Sequence, residues 1–108
     1  PKHFTTFDVS VLDKRDNTYN WNTKSYQIAK PSELNIYETL VRDFSSEHRF
    51  KSIIDSLDYL QRLGINALQL MPINEFQGNN SWGYNPSFLF AVDKYYGSKN
   101  ELKSLIDS

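Results

Sequence analysis

Hydrophobic positions along this chain change their spacing several times, and each change marks an element. Residues 4–12 (FTTFDVSVL) alternate roughly and predict a strand. Residues 13–24 are polar and rich in Asp and Asn, which predicts turn or loop. Tyr26, Ile28 and Pro31 fall in an extended linker, and Pro31 disfavours helix at Lys30. Residues 35–44 (NIYETLVRDF) carry Ile36, Tyr37, Leu40, Val41 and Phe44 without clean alternation, the pattern of a strand buried on both faces.

From Phe50 the spacing becomes helical. Phe50, Ile53, Ile54, Leu57, Leu60 and Leu63 lie three and four apart on one stripe, so a helix is predicted over 47–63. Ser45 or Ser46 would cap its start, and Gly64 would end it as the residue just past the C-cap. Residues 65–73 (INALQLMPI) are apolar and closed by Pro72, which predicts a buried strand. Strand, helix and strand across 36–73 make a βαβ unit with a parallel pair. Residues 74–87 (NEFQGNNSWGYNPS) read as a long polar loop at the C-terminal end of that second strand, the end where parallel α/β architectures bind ligands. Residues 88–96 (FLFAVDKYY) are semi-extended. Ser98 with Glu101 forms a capping box, and Leu102, Leu105 and Ile106 continue an amphipathic helix that begins near Asn100.

Length limits what this pattern can become. The chain has 108 residues, whereas a whole (β/α)8 barrel takes about 250. The fold class expected is therefore α/β, a βαβ unit followed by a loop and a helix, in a chain too short to hold a whole barrel. A start at Pro1-Lys2, without Met or an apolar leader, reads as an excised piece of a longer protein. Net charge is −1, so no basic face is implied and nucleic acid is not an expected partner. No apolar run approaches the roughly 18 residues of a membrane span. The chain has no cysteine, which excludes a disulfide framework and thiol chemistry. A lone parallel pair would leave open strand edges and uncovered apolar helix faces, so self-association is expected.

Aromatic residues make up 15% of the chain, and two of them concentrate in the segment Ser81-Trp82-Gly83-Tyr84-Asn85-Pro86. Gly83 frees the backbone between two large rings and Pro86 stiffens the exit. A ring held at the mouth of a parallel sheet can stack on the apolar face of a pyranose, and Asn85 can donate to and accept from hydroxyls. Alternatively Trp82 and Tyr84 pin the loop to the scaffold. The carboxylates Asp8, Asp13, Glu33, Glu38, Asp43, Glu75 and Asp93 show no pair singled out for glycosidase chemistry, and solvated or salt-bridged roles suit them. His3 and His48 have no spaced partners, so no metal site is expected here. Nucleotide-binding glycine motifs and the GxSxG signature are absent.

Three segments in order, IYETLVRDF (36–44), LDYLQRLGINALQLMPI (57–73) and SWGYNPSFLFAVDKYYG (81–97), resemble the opening βα units of the alpha-amylase superfamily, glycoside hydrolase family thirteen. The likeness covers residues 25–108 and is closest to bacterial alpha-amylases of Bacteroidota type and to members like glycogen-branching enzymes. It implies that residues 1–30 are the end of an N-terminal β-sandwich domain and a linker, and that 31–108 open a (β/α)8 catalytic barrel. It further implies that Tyr84 stacks on the sugar where cleavage occurs, with Trp82 and Asn85 lining the same cleft. The parent would be an alpha-amylase acting on alpha-1,4-glucans by a retaining mechanism, the alternatives being a branching enzyme or a non-catalytic glucan-binding scaffold. An extracellular, cell-surface or periplasmic location is implied for that parent, with calcium as its possible cofactor. The family's catalytic carboxylates lie on later strands, so these 108 residues are expected to hold no catalytic residue, no cofactor and no activity alone.

Overall fold

A computed structural model describes residues 18–108. The strand expected at 4–12 lies outside the described residues, as does the rest of the N-terminal segment expected over 1–30 up to residue 17. Residues 18–30 have no regular structure, and a 3-10 turn at Pro31–Glu33 leads into β1 (Ile36–Thr39). Then follow a single helical turn α1 (Val41–Phe44), helices α2 (Phe50–Ile54) and α3 (Leu57–Arg62), and strand β2 (Ala67–Leu70). Strands β3 (Asn74–Phe76) and β4 (Pro86–Val92) and helix α4 (Lys99–Asp107) complete the order.

The βαβ unit is present. β1 and β2 pair in parallel, with Ile36 opposite Ala67 and Thr39 opposite Leu70. Several details differ from the sequence pattern, and the first is burial: β1 is not covered on both faces, since Ile36 and Tyr37 are exposed and only Thr39 is buried. The first strand stops at Thr39, because the Leu40 carbonyl accepts the amides of Asp43 (3.0 Å) and Phe44 (3.1 Å) and turns the chain into α1. The helix over 47–63 is divided at Asp55–Ser56 without any Gly or Pro. There the Ser56 hydroxyl donates to the Ser52 carbonyl (2.9 Å) and its amide to the Ile53 carbonyl (2.9 Å), which tightens the turn. Arg49 occupies the N-cap of α2 without a side-chain cap, so neither Ser45 nor Ser46 performs that role. The C-terminal end is as expected: Gly64 (φ 89) donates to Gln61 and Ile65 to Leu60, the paired bonds of a Schellman stop.

The core gathers Leu40, Val41, Phe50, Ile53, Phe76, Tyr96 and Leu105, with Leu57, Leu68, Leu70 and Leu102 among the side chains packed on it. Phe50 meets Tyr96 edge-on at 6.0 Å, and the Phe50 amide donates to the Tyr96 carbonyl (2.9 Å), locking α2 to the segment before α4. Leu63, at the end of the helical stripe, is exposed instead. Helix α4 carries the expected capping box: the Ser98 hydroxyl accepts from the Glu101 amide (3.2 Å) and the Glu101 carboxylate accepts from the Ser98 amide (2.7 Å). No described helix is long and apolar enough to cross a membrane.

Candidate functional site

Parallel pairing sends the C-terminal ends of β1 and β2 out of the same end of the sheet. Past Thr39 that end carries α1, and past Leu70 it carries Met71-Pro72 and the hairpin β3–β4. The polar stretch 74–87 is thus a strand, a loop over 77–85 and the start of β4, not loop throughout. β3 and β4 pair antiparallel with irregular register: Asn74 opposite Val92, Glu75 opposite Phe88, Phe76 opposite Pro86. An Asn- and Gly-rich composition hid the short strand, whose pairing is set from across the hairpin.

A buried charge pair braces the hairpin base. Glu75, 6% exposed, accepts from the Lys94 ammonium (2.7 Å) and the Lys94 amide (2.8 Å). The same ammonium donates to the carbonyls of Phe76 (3.2 Å) and Gly78 (2.9 Å) and stands 4.9 Å from the centre of the Tyr95 ring. Every proton of the ammonium is therefore directed at an oxygen, which offsets the cost of taking the pair out of water. Next to it the fully buried Asp93 accepts from the Tyr95 amide (2.9 Å). Burial, and then the Asp93 charge, push the Tyr96 hydroxyl up to about 12. These groups are scaffold for the loop.

The loop itself turns on Gly83. Its backbone is left-handed (φ 91), and a Cβ there would stand 2.5 Å from the Pro72 carbonyl oxygen and 3.0 Å from the Pro72 Cβ. Only glycine lets the loop lie this close to the chain leaving β2. The Gly83 amide donates to the Ser81 hydroxyl (3.0 Å), and that hydroxyl donates to Asn85 Oδ1. Asn85 thus spends its oxygen inside the loop, which leaves the amide nitrogen as the donor of that side chain.

The flanking rings point elsewhere. Trp82 is 66% exposed and Tyr84 67% exposed. The loop is pinned by Gly83, Ser81 and Arg42, and the two rings are not its anchors. Arg42 was not singled out in the sequence. From α1 its guanidinium donates to Asn80 Oδ1 and to the Ser81 carbonyl, both at 3.1 Å. It also grips Asp43 in a fork at 2.7 and 3.1 Å. That hydrogen bond holds the Asp43 carboxyl below its ordinary range and raises Arg42 above its own. Nothing in the spacing of twelve basic residues distinguishes Arg42 from the others; only the fold brings it to residues thirty-eight and more positions away. Trp82, Tyr84 and Asn85 lie on the loop that follows the C-terminal end of the parallel pair. Among the described residues no group of three or more His, Asp or Glu side chains comes together.

The family model for the alpha-amylase catalytic domain matches residues 9–108. The chain belongs to the alpha-amylase catalytic-domain family. Relatives of this family member include a malto-oligosyltrehalose trehalohydrolase from Saccharolobus solfataricus, 35% identical over 89 residues, which covers 82% of this chain and 16% of that protein. A 1,4-alpha-glucan branching enzyme from Saccharophagus degradans is 32% identical over 114 residues, covering 92% of this chain and 15% of the enzyme. Among solved structures, a Salmonella typhimurium protein assigned as an alpha amylase matches with a TM-score of 0.79 at 30% identity, over 84% of this chain and 16% of that one. A GBS pullulanase in complex with maltotetraose matches with a TM-score of 0.61, also at 30% identity, over 69% of this chain and 14% of the pullulanase. The chain therefore spans about one-sixth of the length of the curated relatives it matches. These relatives do not single out amylases of Bacteroidota type.

Proposed function

We propose that this family member serves as the sugar-platform segment of an alpha-glucan-active glycoside hydrolase, with Trp82 and Tyr84 as ring platforms and the Asn85 amide as a donor to a sugar hydroxyl. The observation that carries this reading is the pair of exposed rings flanking an obligatory glycine at the C-terminal end of the parallel strands. A bare aromatic ring at that position offers a pyranose an apolar face, while its neighbours stay fixed to the scaffold. Family membership and the maltotetraose-bound relative support glucan as the ligand class. Chemistry would follow the retaining route, in which one carboxylate forms a glycosyl-enzyme intermediate and a second carboxyl acts first as acid and then as base. Those two carboxylates are proposed to lie outside these 108 residues, in a protein working at the cell surface or in the periplasm.

The test is titration of the full chain with maltoheptaose. Replacing Tyr84 by Ala should weaken binding by about tenfold, the scale of one lost aromatic contact. Unchanged affinity would remove Tyr84 from the site. The 108-residue chain alone should release no reducing sugar from soluble starch, and clear turnover would overturn the placement of the carboxylates elsewhere.

A second reading is glycosyl transfer. The branching enzyme aligns with 92% of this chain, more than the trehalohydrolase does. Hydrolysis is preferred because two relatives, 35% and 33% identical over more than four-fifths of the chain, are trehalohydrolases by name. Product analysis separates the two, since a transferase makes new branch points without new reducing ends.

A further inference from the structure

One side chain at the exit of β1, that of Arg42, reaches the aromatic loop although it is not aromatic. We infer that Arg42, held by Asp43, is a positioning residue for the Trp82–Tyr84 platform. The inference rests on the platform reading above and adds the part that keeps the platform in one orientation.

The geometry is a relay. Asp43 takes one edge of the guanidinium in a two-bond fork and thereby fixes its plane. The plane then delivers Nη1 to Asn80 Oδ1 and to the Ser81 carbonyl. Ser81 passes the constraint on, because its hydroxyl accepts from Gly83 and donates to Asn85. The Gly83 amide and the Asn85 side chain are thus tied, through one serine, to the end of β1. The backbone carbonyl of Arg42 is itself engaged by the His48 ring, in a turn where His48 adopts a left-handed φ of 57. The Arg42 side chain is only 18% exposed, against 58% for Asp43. An ordinary surface ion pair would have both partners in water and would order nothing. Lysine could not replace this arrangement, since a point charge cannot grip a carboxylate and two loop oxygens at fixed angles.

The experiment compares Arg42→Met, Arg42→Lys, Asp43→Ala, Tyr84→Ala and the double variant Arg42→Met/Tyr84→Ala in the full chain. Two quantities are read: amide hydrogen exchange of residues 80–85, and affinity for maltoheptaose. Arg42→Met should speed exchange at 81–85 by about tenfold and weaken maltoheptaose by about tenfold. Arg42→Lys should recover part of both losses. Asp43→Ala, at an exposed position that folding tolerates, should move both in the same sense by a smaller factor. In the Tyr84→Ala background Arg42→Met should cost clearly less further affinity than it does alone, because one of the groups that Arg42 positions is already gone. Unchanged exchange at 80–85 in both Arg42→Met and Asp43→Ala overturns the inference. So does an Arg42→Met loss of equal size with and without Tyr84. If Tyr84→Ala leaves affinity intact, the platform reading fails, and exchange still decides whether Arg42 holds the loop.

Discussion

The βαβ body and the loop it supports are built on opposite principles. In the body, position is shared among many side chains: Phe50, Ile53, Val41 and Leu105 pack into one cluster with ten further apolar residues against it. In the loop 77–85, position depends on single contacts: one glycine against Pro72, one serine hydroxyl, one guanidinium. A packed core spreads the loss of any contact over its neighbours, whereas a polar linkage fails when one partner goes. The difference explains how two large rings stand in water without the loop collapsing. Their exposure is maintained by what lies beneath them.

Two substitutions set the two regions against each other. Phe50→Ala should lower unfolding stability by about 3–5 kcal/mol, since it opens a cavity where α2 meets Tyr96. Urea unfolding measures it, and a loss below about 1 kcal/mol would mean that the body is not held by this cluster. Gly83→Ala should cost about 1–3 kcal/mol and abolish maltoheptaose binding while leaving the far-ultraviolet spectrum unchanged, because the strain is local to the loop. A fully stable, fully binding variant would show that the approach to Pro72 is not required.

The smallest effect concerns the segment before β1. The Asp107 carboxylate accepts from the amides of Asn22 (2.9 Å) and Thr23 (2.8 Å) and from the Tyr19 hydroxyl (3.1 Å). The bonds from Asn22 and Thr23, more than any other cause, hold it below its ordinary value of 3.8. A depressed carboxylate stabilises the folded arrangement above its unfolded pKa and loses that contribution as pH falls through the folded one. The amide resonances of Asn22 and Thr23 should therefore stay constant from neutral pH down to about 4 and shift below it. Asp107→Asn should flatten that dependence. A transition near neutral pH would contradict the assignment.

Much of the body was legible before the fold was known. The stripe from Phe50 to Leu60, the stop at Gly64 and the Ser98–Glu101 box each depend on residues close in sequence, where local chemistry decides. The division at Ser56 was not legible, because Ser back-bonding to Ser52 competes with the regular helix without any breaker residue. Strand β3 was missed for a different reason: Asn74–Phe76 is extended only because Pro86–Val92 lies beside it. At the site, Trp82, Tyr84 and Asn85 were visible as a cluster of chemistry. Arg42 and the Glu75–Lys94 brace were invisible, since both depend on partners brought together by folding.

The Asp107 contact joins residues separated by more than eighty positions and so encloses most of the chain in one loop. The entropy of closing such a loop grows only with the logarithm of its length, about 0.6 kcal/mol for each doubling. Related sequences could therefore lengthen the segment between Thr23 and Lys99 substantially without opening the clasp. Additions would be tolerated at the rim of the 77–85 loop and resisted between Ser81 and Asn85, where the backbone already touches Pro72. The clasp leaves the size of the ligand-facing end free to vary while the frame beneath it stays closed.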